Sequence, residues 1–383
     1  MNETSFKLFT INVSKENLII TLKRNGMGIA STVIGGGMRK EIKHIVFHKV
    51  DKNFKGDPKV EARKTLKKLN LDEHEAIVFL TAVDVSKDYI VVEESLNDII
   101  VSVVVTLGLT NAITIPTSID EARSIALHNL VKPHTINILA VVNKAMTHEA
   151  LVDAVKTITE AKVYAMYSLD LKVDGKLAVG TSTDAVAVVS LNEGEQTPYA
   201  GVLTSIGALL STLTYSSIIK CAESKWGLCR QRGILMRLKE YGIDLSDIVE
   251  AASRLFIPHG DLSKNKVKEL LENEIKGTLK DVNVTSLILA ALKLHENAML
   301  NLLPGITAEE YSKDPVRLVA DEILGLALAL YLNGWNAVFE YYRYDRLKPG
   351  ILSKLPPFLD DIIGALIGGV TSKIYSREYR GSM

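Results

Sequence analysis

The period of the apolar pattern changes near residue 225, and no other feature limits the available folds as strongly. Before that point, short runs rich in β-branched residues alternate with helical patterns. Leu18-Ile19-Ile20-Thr21-Leu22, His44-Ile45-Val46-Phe47, Ala76-Ile77-Val78-Phe79-Leu80 and the run from Ile136 through Val142 read as strands. Tyr89-Ile90-Val91-Val92 and Ala185 through Val189 read the same way. Between them, His148 through Ile158 places apolar residues at helical spacing behind a candidate N-cap, Thr147. Thr159-Glu160-Ala161-Lys162 then reads as the end of that helix. Beyond 225 the strand signals stop. Helical patterns run over 235–241, 245–256, a segment opening at Ser263, 284–303, 315–332 and 359–375, with short Pro- and Gly-bearing connections. The expectation is an α/β mixed N-terminal domain (α+β) over 1–225 followed by an all-α helical C-terminal domain over 226–383.

Charge and composition narrow the function classes. Lys plus Arg and Asp plus Glu balance at 45 each, so no net positive field exists to hold a nucleic-acid backbone. Cys221 and Cys229 are too few for a disulfide framework and are expected to be reduced thiols. Residues 1–23 lack the basic start and apolar block of a signal peptide, and a cytoplasmic location is expected. The uncharged runs 99–119 and 197–219 are diluted by Ser, Thr and Gly and read as buried core elements. The apolar run 323–339 is short for a bilayer and follows two acids, so no membrane span is expected.

Those acids carry the chemistry of the second half. Asp321-Glu322 and Asp360-Asp361 each precede an apolar helical run, and Asp345 stands three residues before Lys348. Taken singly, each pair reads as a helix start or a surface ion pair. Together in one short helical domain they would repel one another. At an effective dielectric near 20, two like charges 4 Å apart cost roughly 4 kcal/mol. A hard divalent cation turns that repulsion into attraction, and inward carboxylates in a helical bundle are a common way to hold one.

The ordered stretches Ala320-Asp321-Glu322-Ile323, Tyr344-Asp345-Arg346-Leu347-Lys348-Pro349-Gly350 and Phe358-Leu359-Asp360-Asp361-Ile362 resemble the phosphatidylglycerophosphatase A family, over about 233–376. They are closest to its soluble branch, which includes archaeal α-ribazole-5′-phosphate phosphatases. The resemblance implies an all-helical fold, Mg²⁺ dependence and phosphomonoester hydrolysis. The spans and early Gly-rich motif of the membrane members are not found, which favours a soluble substrate over a lipid phosphate. By the same resemblance, Asp321, Glu322, Asp345, Asp360 and Asp361 are the metal ligands and hold one or two Mg²⁺. Lys348, with Arg343 or Arg346, balances charge on the phosphoryl oxygens.

The first half gives weaker single signals. Gly26-Met27-Gly28-Ile29-Ala30-Ser31 is an incomplete dinucleotide fingerprint, and Gly35-Gly36-Gly37 lacks P-loop spacing. Such glycines read as flexible turns or as a close backbone approach to a large ligand. His44 and His48 are four apart in a strand-like run, which is a poor zinc pattern. Gly180-Thr181-Ser182-Thr183-Asp184 is a hydroxyl-rich turn before an apolar strand.

Read in order, these pieces resemble the adenosylcobinamide amidohydrolase family over about 10–215. The carrying stretches are Gly28 to Thr32 with Gly35-Gly36-Gly37, Leu80-Thr81-Ala82, Gly108 to Ala112, Thr135 to Ile138, Leu151 to Lys162 and Gly180 to Val186. The family cleaves an amide of the corrinoid side chain. A position often Asn in the family is His48 here. Corrinoid contact at Gly35, Gly36 and Gly37 is expected. Glu160 or Asp184 is the candidate base, and Lys162, Asn111 and Asn137 are candidate oxyanion donors. Thr181 or Thr183 is an alternative nucleophile. No sure metal site is read in this half.

Both resemblances point to cobamide (vitamin B12) salvage and biosynthesis, and together they resemble the archaeal bifunctional enzymes of that chemistry. The expected ligands are a corrinoid and α-ribazole phosphate, and a homodimer is expected. Two rival readings stand beside this one. The first is a corrinoid-binding module fused to a phosphatase. The second keeps both hydrolases but gives the phosphatase a lipid or another small phosphomonoester as substrate.

Overall fold

The computed structural model describes residues 3–116, 118–173, 176–258 and 263–381, with 129–134 left out. It divides into two units, Met1–Gln231 and Arg232–Met383.

The first unit is built on one curled mixed sheet. Its strands are β1 (Glu3–Ser5), β2 (Phe9–Val13), β3 (Asn17–Ala30), β4 (Gly37–Lys49), β5 (Ala76–Thr81), β6 (Tyr89–Leu96) and β7 (Ile99–Leu107). After a short strand, β8 (Ala112–Ile113), come β9 (Ile136–Met146), the small strands β10 (Lys172–Val173), β11 (Lys176–Leu177) and β12 (Gly180–Thr181), and β13 (Ala185–Thr197). β3 is the spine. One edge pairs with β4, and the other pairs first with β2 and then with β13. From β13 the sheet continues through β9 and β7 to β6, and β5 extends it beyond β4. All pairs are antiparallel except β4–β5 and β13–β9.

Parallel pairs need crossovers. Helix α1 (Pro58–Leu69) makes the first, capped by Asp57. After helix α2 (Ile119–His128), helix α3 (His148–Leu169) makes the second. Helix α4 (Ser205–Trp226) closes the unit.

Burial explains the sequence texture. β9 is buried along almost its whole length, because α3 and α4 cover one face while the concave inside of the sheet covers the other. A continuous apolar run is what such a strand requires. Phe9, Leu18, Ile20, Phe47, Phe79, Leu139 and Val189 meet inside the curl. Asn137 Nδ2 donates to the Leu80 carbonyl at 3.2 Å, tying the start of β9 to the end of β5.

The helix opening at Thr147 does not stop at Lys162 but continues to Leu169. The β-forming pair Val163-Tyr164 suggested a break. Burial of Ala165, Met166 and Leu169 against the sheet overrides that preference.

No strand occurs after Thr197 among the described residues. The second unit comprises α5 (Ile234–Glu240), α6 (Leu245–Leu255), α7 (Lys264–Thr278), α8 (Val282–Met299), α9 (Ala308–Tyr311), α10 (Ala320–Leu347) and α11 (Pro357–Gly381). α10 is two arms. Asn333 (φ −155°, ψ 31°) and Gly334 (φ 59°, ψ −147°) leave helical geometry, and the second arm folds back on the first. A Cβ on Gly325 would lie 2.6 Å from the Tyr341 hydroxyl, although 16 residues of straight helix span roughly 24 Å. Each arm is about 20 Å long, short of the roughly 30 Å hydrocarbon core of a bilayer, although the whole 28-residue segment is apolar enough to cross one. Asn333 Nδ2 donates to Ser372 and Ser376 of α11, fixing the reversal.

The reversal depends on glycine. The backbone region of Gly334 is closed to residues with a Cβ, and such strain costs of order 1–3 kcal/mol. No atom crowds that position, so the cost is purely conformational. Gly334→Ala is expected to destabilise the second unit by about that amount. A shift in its urea midpoint at unchanged slope would show it, and an unshifted midpoint would contradict the hairpin geometry.

Candidate functional site

At one end of the curled sheet, the starts of β9 and β13 meet the ends of β3 and β5. A cavity of about 360 Å³ opens there, lined on its polar side by Ser31, Thr32, Asn137 and Thr183 and on its apolar side by Val50, Phe54, Val78 and Phe79. Asn137 is buried. One of its N–H groups bonds Leu80, and its Oδ1 accepts from Thr135 Oγ1 at 3.5 Å. Thr135 Oγ1 also donates to the Thr183 carbonyl at 2.6 Å, so these two cavity residues are held by one neighbour.

A second, more polar cavity of about 540 Å³ shares Ser31, Thr32 and Val33 with the first. It runs over the Gly35-Gly36-Gly37 turn toward Arg39, Lys59 and Arg63. Two of these glycines have structural work. At Gly35 (φ 76°) a Cβ would lie 2.5 Å from the Ala76 carbonyl, and at Gly36 it would lie 2.3 Å from that of Thr32. Only Gly37 opens into free space.

The sequence candidates do not gather at one point. Asp184 lies on the α3 side of the sheet, between Thr183 and Ala185, which both line the first cavity. It accepts from Lys162 Nζ at 2.5 Å, Thr181 Oγ1 at 2.5 Å, Thr181 N at 3.1 Å and Ile136 N at 3.1 Å. A carboxylate offers about four lone-pair sites. With all four used, Asp184 is a lock on the 180–184 turn and is poorly placed to take a proton from water. Lys162 is the other half of that lock, each side chain being 12 % exposed. Thr181 is buried with them. Asn111, brought alongside by the β8–β12 pairing, donates to Ser182 Oγ at 2.8 Å.

Glu160 is not joined to this cluster. Because α3 continues past Lys162, two residues of helix turn Glu160 about 200° away from the lysine. It is exposed on the face that carries Tyr164 and Tyr167. His44 and His48 are also separately engaged. His44 Nδ1 lies 3.2 Å from Thr21 Oγ1. His48 Nδ1 lies 2.8 Å from Asn17 Oδ1, and its Nε2 is 3.6 Å from Glu61. Burial lowers the pKa of His48. Cys221 is a buried free thiol, pushed up to about 11 by burial, and Cys229 is a free exposed one.

In the second unit the carboxylates do converge. Asp321 and Glu322 occupy the first turn of α10, and Asp360 and Asp361 open α11, so two positive helix ends face the acids. Asp321, Glu322 and Asp361 each offer an oxygen within 4.8 Å of the others. Asp321 and Asp361 are buried, whereas Glu322 is exposed and forms the open side. Asp361 accepts from the Tyr341 hydroxyl at 2.7 Å. Asp321 Oδ1 accepts from the Glu322 amide, but its buried Oδ2 has no hydrogen-bond partner among the described residues.

Burial pushes the acids up: Asp361 to about 8, despite the Tyr341 hydrogen bond, and Asp360 to about 6, despite Lys348. Asp321 is raised by burial and by its neighbour Glu322, and Asp345 is raised by burial. An orphaned anionic oxygen among hard oxygen donors fits a divalent cation such as Mg²⁺.

Lys348 caps α10 and bonds Asp360. Its Nζ is also 3.8 Å from Asp314 and 4.0 Å from Asp345. Arg343 is occupied elsewhere, holding Glu340 at 2.8 Å and the Leu255 carbonyl at 3.1 Å. Arg346 is exposed at the helix end. Asp314 and Tyr341 were not legible as site residues. Asp314 sits in an ordinary Ser-Lys-Asp-Pro turn, and Tyr341 reads as core. Ser31 and Thr32 stood inside a recognised stretch without a role.

The adenosylcobinamide amidohydrolase family matches residues 3–230. An uncharacterized protein of Methanocaldococcus jannaschii is 34 % identical over 131 residues, covering 33 % of this chain and 99 % of the relative. Among solved structures, the low temperature requirement C protein from Listeria monocytogenes is similar at 26 % identity and a TM-score of 0.34, over 38 % of this chain and 94 % of the other. A protein of unknown function from Bacillus stearothermophilus is similar at 24 % identity and a TM-score of 0.32, over 38 % and 92 %.

Proposed function

The chain belongs to the adenosylcobinamide amidohydrolase family, and from that premise we propose a bifunctional enzyme of cobamide salvage. Its first unit hydrolyses the aminopropanol amide of adenosylcobinamide to adenosylcobyric acid. Its second is a Mg²⁺-dependent phosphatase of α-ribazole 5′-phosphate.

For the amide reaction, the carrying observation is the cavity at the strand ends. It places an amide donor, Asn137, beside the hydroxyls of Ser31, Thr32 and Thr183. One Asn137 N–H bonds Leu80, and the other has no partner among the described residues. That second N–H donates to the carbonyl oxygen as it becomes negative. The hydroxyl wall orients the attacking water. The C–N bond breaks, the water oxygen stays on the acyl carbon and the amine leaves with the proton. The Lys162–Asp184 lock positions this wall. The glycine turn lets the large corrinoid approach the backbone, with Gly37 as its open point.

For phosphate release, the supporting observation is the orphaned Asp321 oxygen inside the carboxylate cluster. Asp321, Glu322 and Asp361 would hold the cation, with Asp345 beside them. When bound, Mg²⁺ supplies Lewis acidity toward the phosphoryl group. Lys348, part-exposed and held by Asp360, faces the charge that grows on the phosphoryl oxygens. Arg346 is the remaining arginine for a phosphate contact.

The outer faces of both α10 arms expose Ile323, Tyr331, Trp335, Phe339 and Tyr342. A second copy of the chain would cover this apolar surface, consistent with a homodimer.

Purified full-length protein should release phosphate from α-ribazole 5′-phosphate with Mg²⁺ and stop on adding EDTA. Phosphate release that persists in EDTA, or none with Mg²⁺ present, contradicts the phosphatase assignment.

A further inference from the structure

The acids of the second unit form two adjacent groups. Asp321, Glu322 and Asp361 converge around the orphaned Asp321 oxygen. On the other side, Asp314, Asp345 and Asp360 surround a single ammonium, that of Lys348. Asp345 links the two, because its carboxylate is close enough to Asp361 for the two charges to act on each other. Two neighbouring carboxylate sets are the arrangement that holds paired divalent cations about 3.5–4 Å apart. Here one of the two positions already contains a positive charge of the protein's own.

The backbone is arranged to put it there. Lys348 has φ 38° and Asp314 has φ 50°, both in the left-handed region that residues with side chains seldom occupy. Lys348 is held in that conformation as the C-cap of α10, its N–H donating to the Tyr344 carbonyl at 2.8 Å. Strained positions of this kind persist where the surroundings over-determine them. Two such residues, 34 positions apart in sequence, contribute to the same charge cluster.

We infer that the second unit binds one divalent cation per chain rather than two, and that the Lys348 ammonium fills the second cation position among Asp314, Asp345 and Asp360. This rests on the reading of the Asp321–Glu322–Asp361 group as a cation site. A phosphoryl group seated there would meet a divalent cation on one side and a fixed ammonium on the other. The lysine would supply the second charge with no dependence on metal concentration.

Mn²⁺ is the probe, titrated into the full-length chain and read by electron paramagnetic resonance and equilibrium dialysis. The expected result is one tight Mn²⁺ per chain with the spectrum of an isolated ion. Lys348→Gln leaves three carboxylates without a counter-charge and should raise the stoichiometry to two, whereas Lys348→Arg should keep it at one. A spin-coupled Mn²⁺ pair in the unaltered protein overturns the inference, whatever the variants do, but leaves the cation site standing. Lys348→Gln remaining at one also overturns the lysine's role. No tight Mn²⁺ in the unaltered protein overturns the cation site itself.

Discussion

Replacing Asn137 by alanine is expected to lower the rate of amide cleavage about 10²–10³-fold, the usual loss on removing one oxyanion donor. The loss should fall on kcat, with KM for the corrinoid little changed, because the donor acts on charge that develops only in the transition state. Asn137 also bonds the Leu80 carbonyl, so a structural contribution has to be separated. A weakened tie between β9 and β5 would lower the unfolding midpoint and raise KM. Loss of the oxyanion donor would lower kcat in a fully folded protein. Phosphate release by the same preparation should be unchanged. Retention of full amide cleavage would remove the cavity from the mechanism.

Asp361→Asn is expected to abolish tight cation binding and to lower phosphate release by roughly 30- to 5,000-fold, as loss of a buried charged partner at about 2–5 kcal/mol implies. The same change should stabilise the cation-free protein at alkaline pH. The sign follows from the raised acids. Burial holds the Asp361 carboxyl up to about 8, whereas an unfolded chain releases that proton near pH 4. Between those values the folded state binds more protons than the unfolded one, so stability falls as pH rises from about 4 through 8. An amide at this position has no proton to lose. The cation-free variant should therefore show a flatter stability profile than the parent across pH 5–8.5. In the parent, Mg²⁺ should raise the melting temperature more at pH 8 than at pH 6, because binding must displace protons at the lower pH. A steeper profile in the variant, or a larger Mg²⁺ effect at pH 6, would contradict this electrostatic picture.

Much of the fold could be read along the chain because burial is written into it. The six strand runs lie within β3, β4, β5, β6, β9 and β13. Thr147 caps α3 by accepting from the Ala150 amide, and Ser263 caps α7 by accepting from Lys266. The errors arise where tertiary contact outranks local preference. α3 continues through Val163-Tyr164 because Ala165, Met166 and Leu169 have a sheet to bury against, and that continuation turns Glu160 outward. The helical pattern over 315–332 ends where the first arm of α10 ends. The second arm was not foreseen, because an Asn-Gly reversal inside an apolar run resembles a kink until Ser372 and Ser376 supply its partners.

The candidate sites divide along the same line. Acid pairs in apolar helices stand out from sequence because charge there is costly. The contact between Lys348 and Asp360, the approach of Asp314 and the Tyr341 hydrogen bond depend on chain reversals that no local spacing reveals. In the first unit, the hydroxyl-rich turn was visible. The sorting of Thr183 to the cavity and Asp184 to the opposite face follows from strand alternation only once the strand's environment is known.

The amide reaction is tested most directly by incubating the full-length protein with adenosylcobinamide and separating the products by chromatography. The account predicts aminopropanol and adenosylcobyric acid in equal amounts, with both lost together in Asn137→Ala. A protein that binds adenosylcobinamide and returns it uncut would contradict that account and reduce the first unit to a corrinoid-binding module.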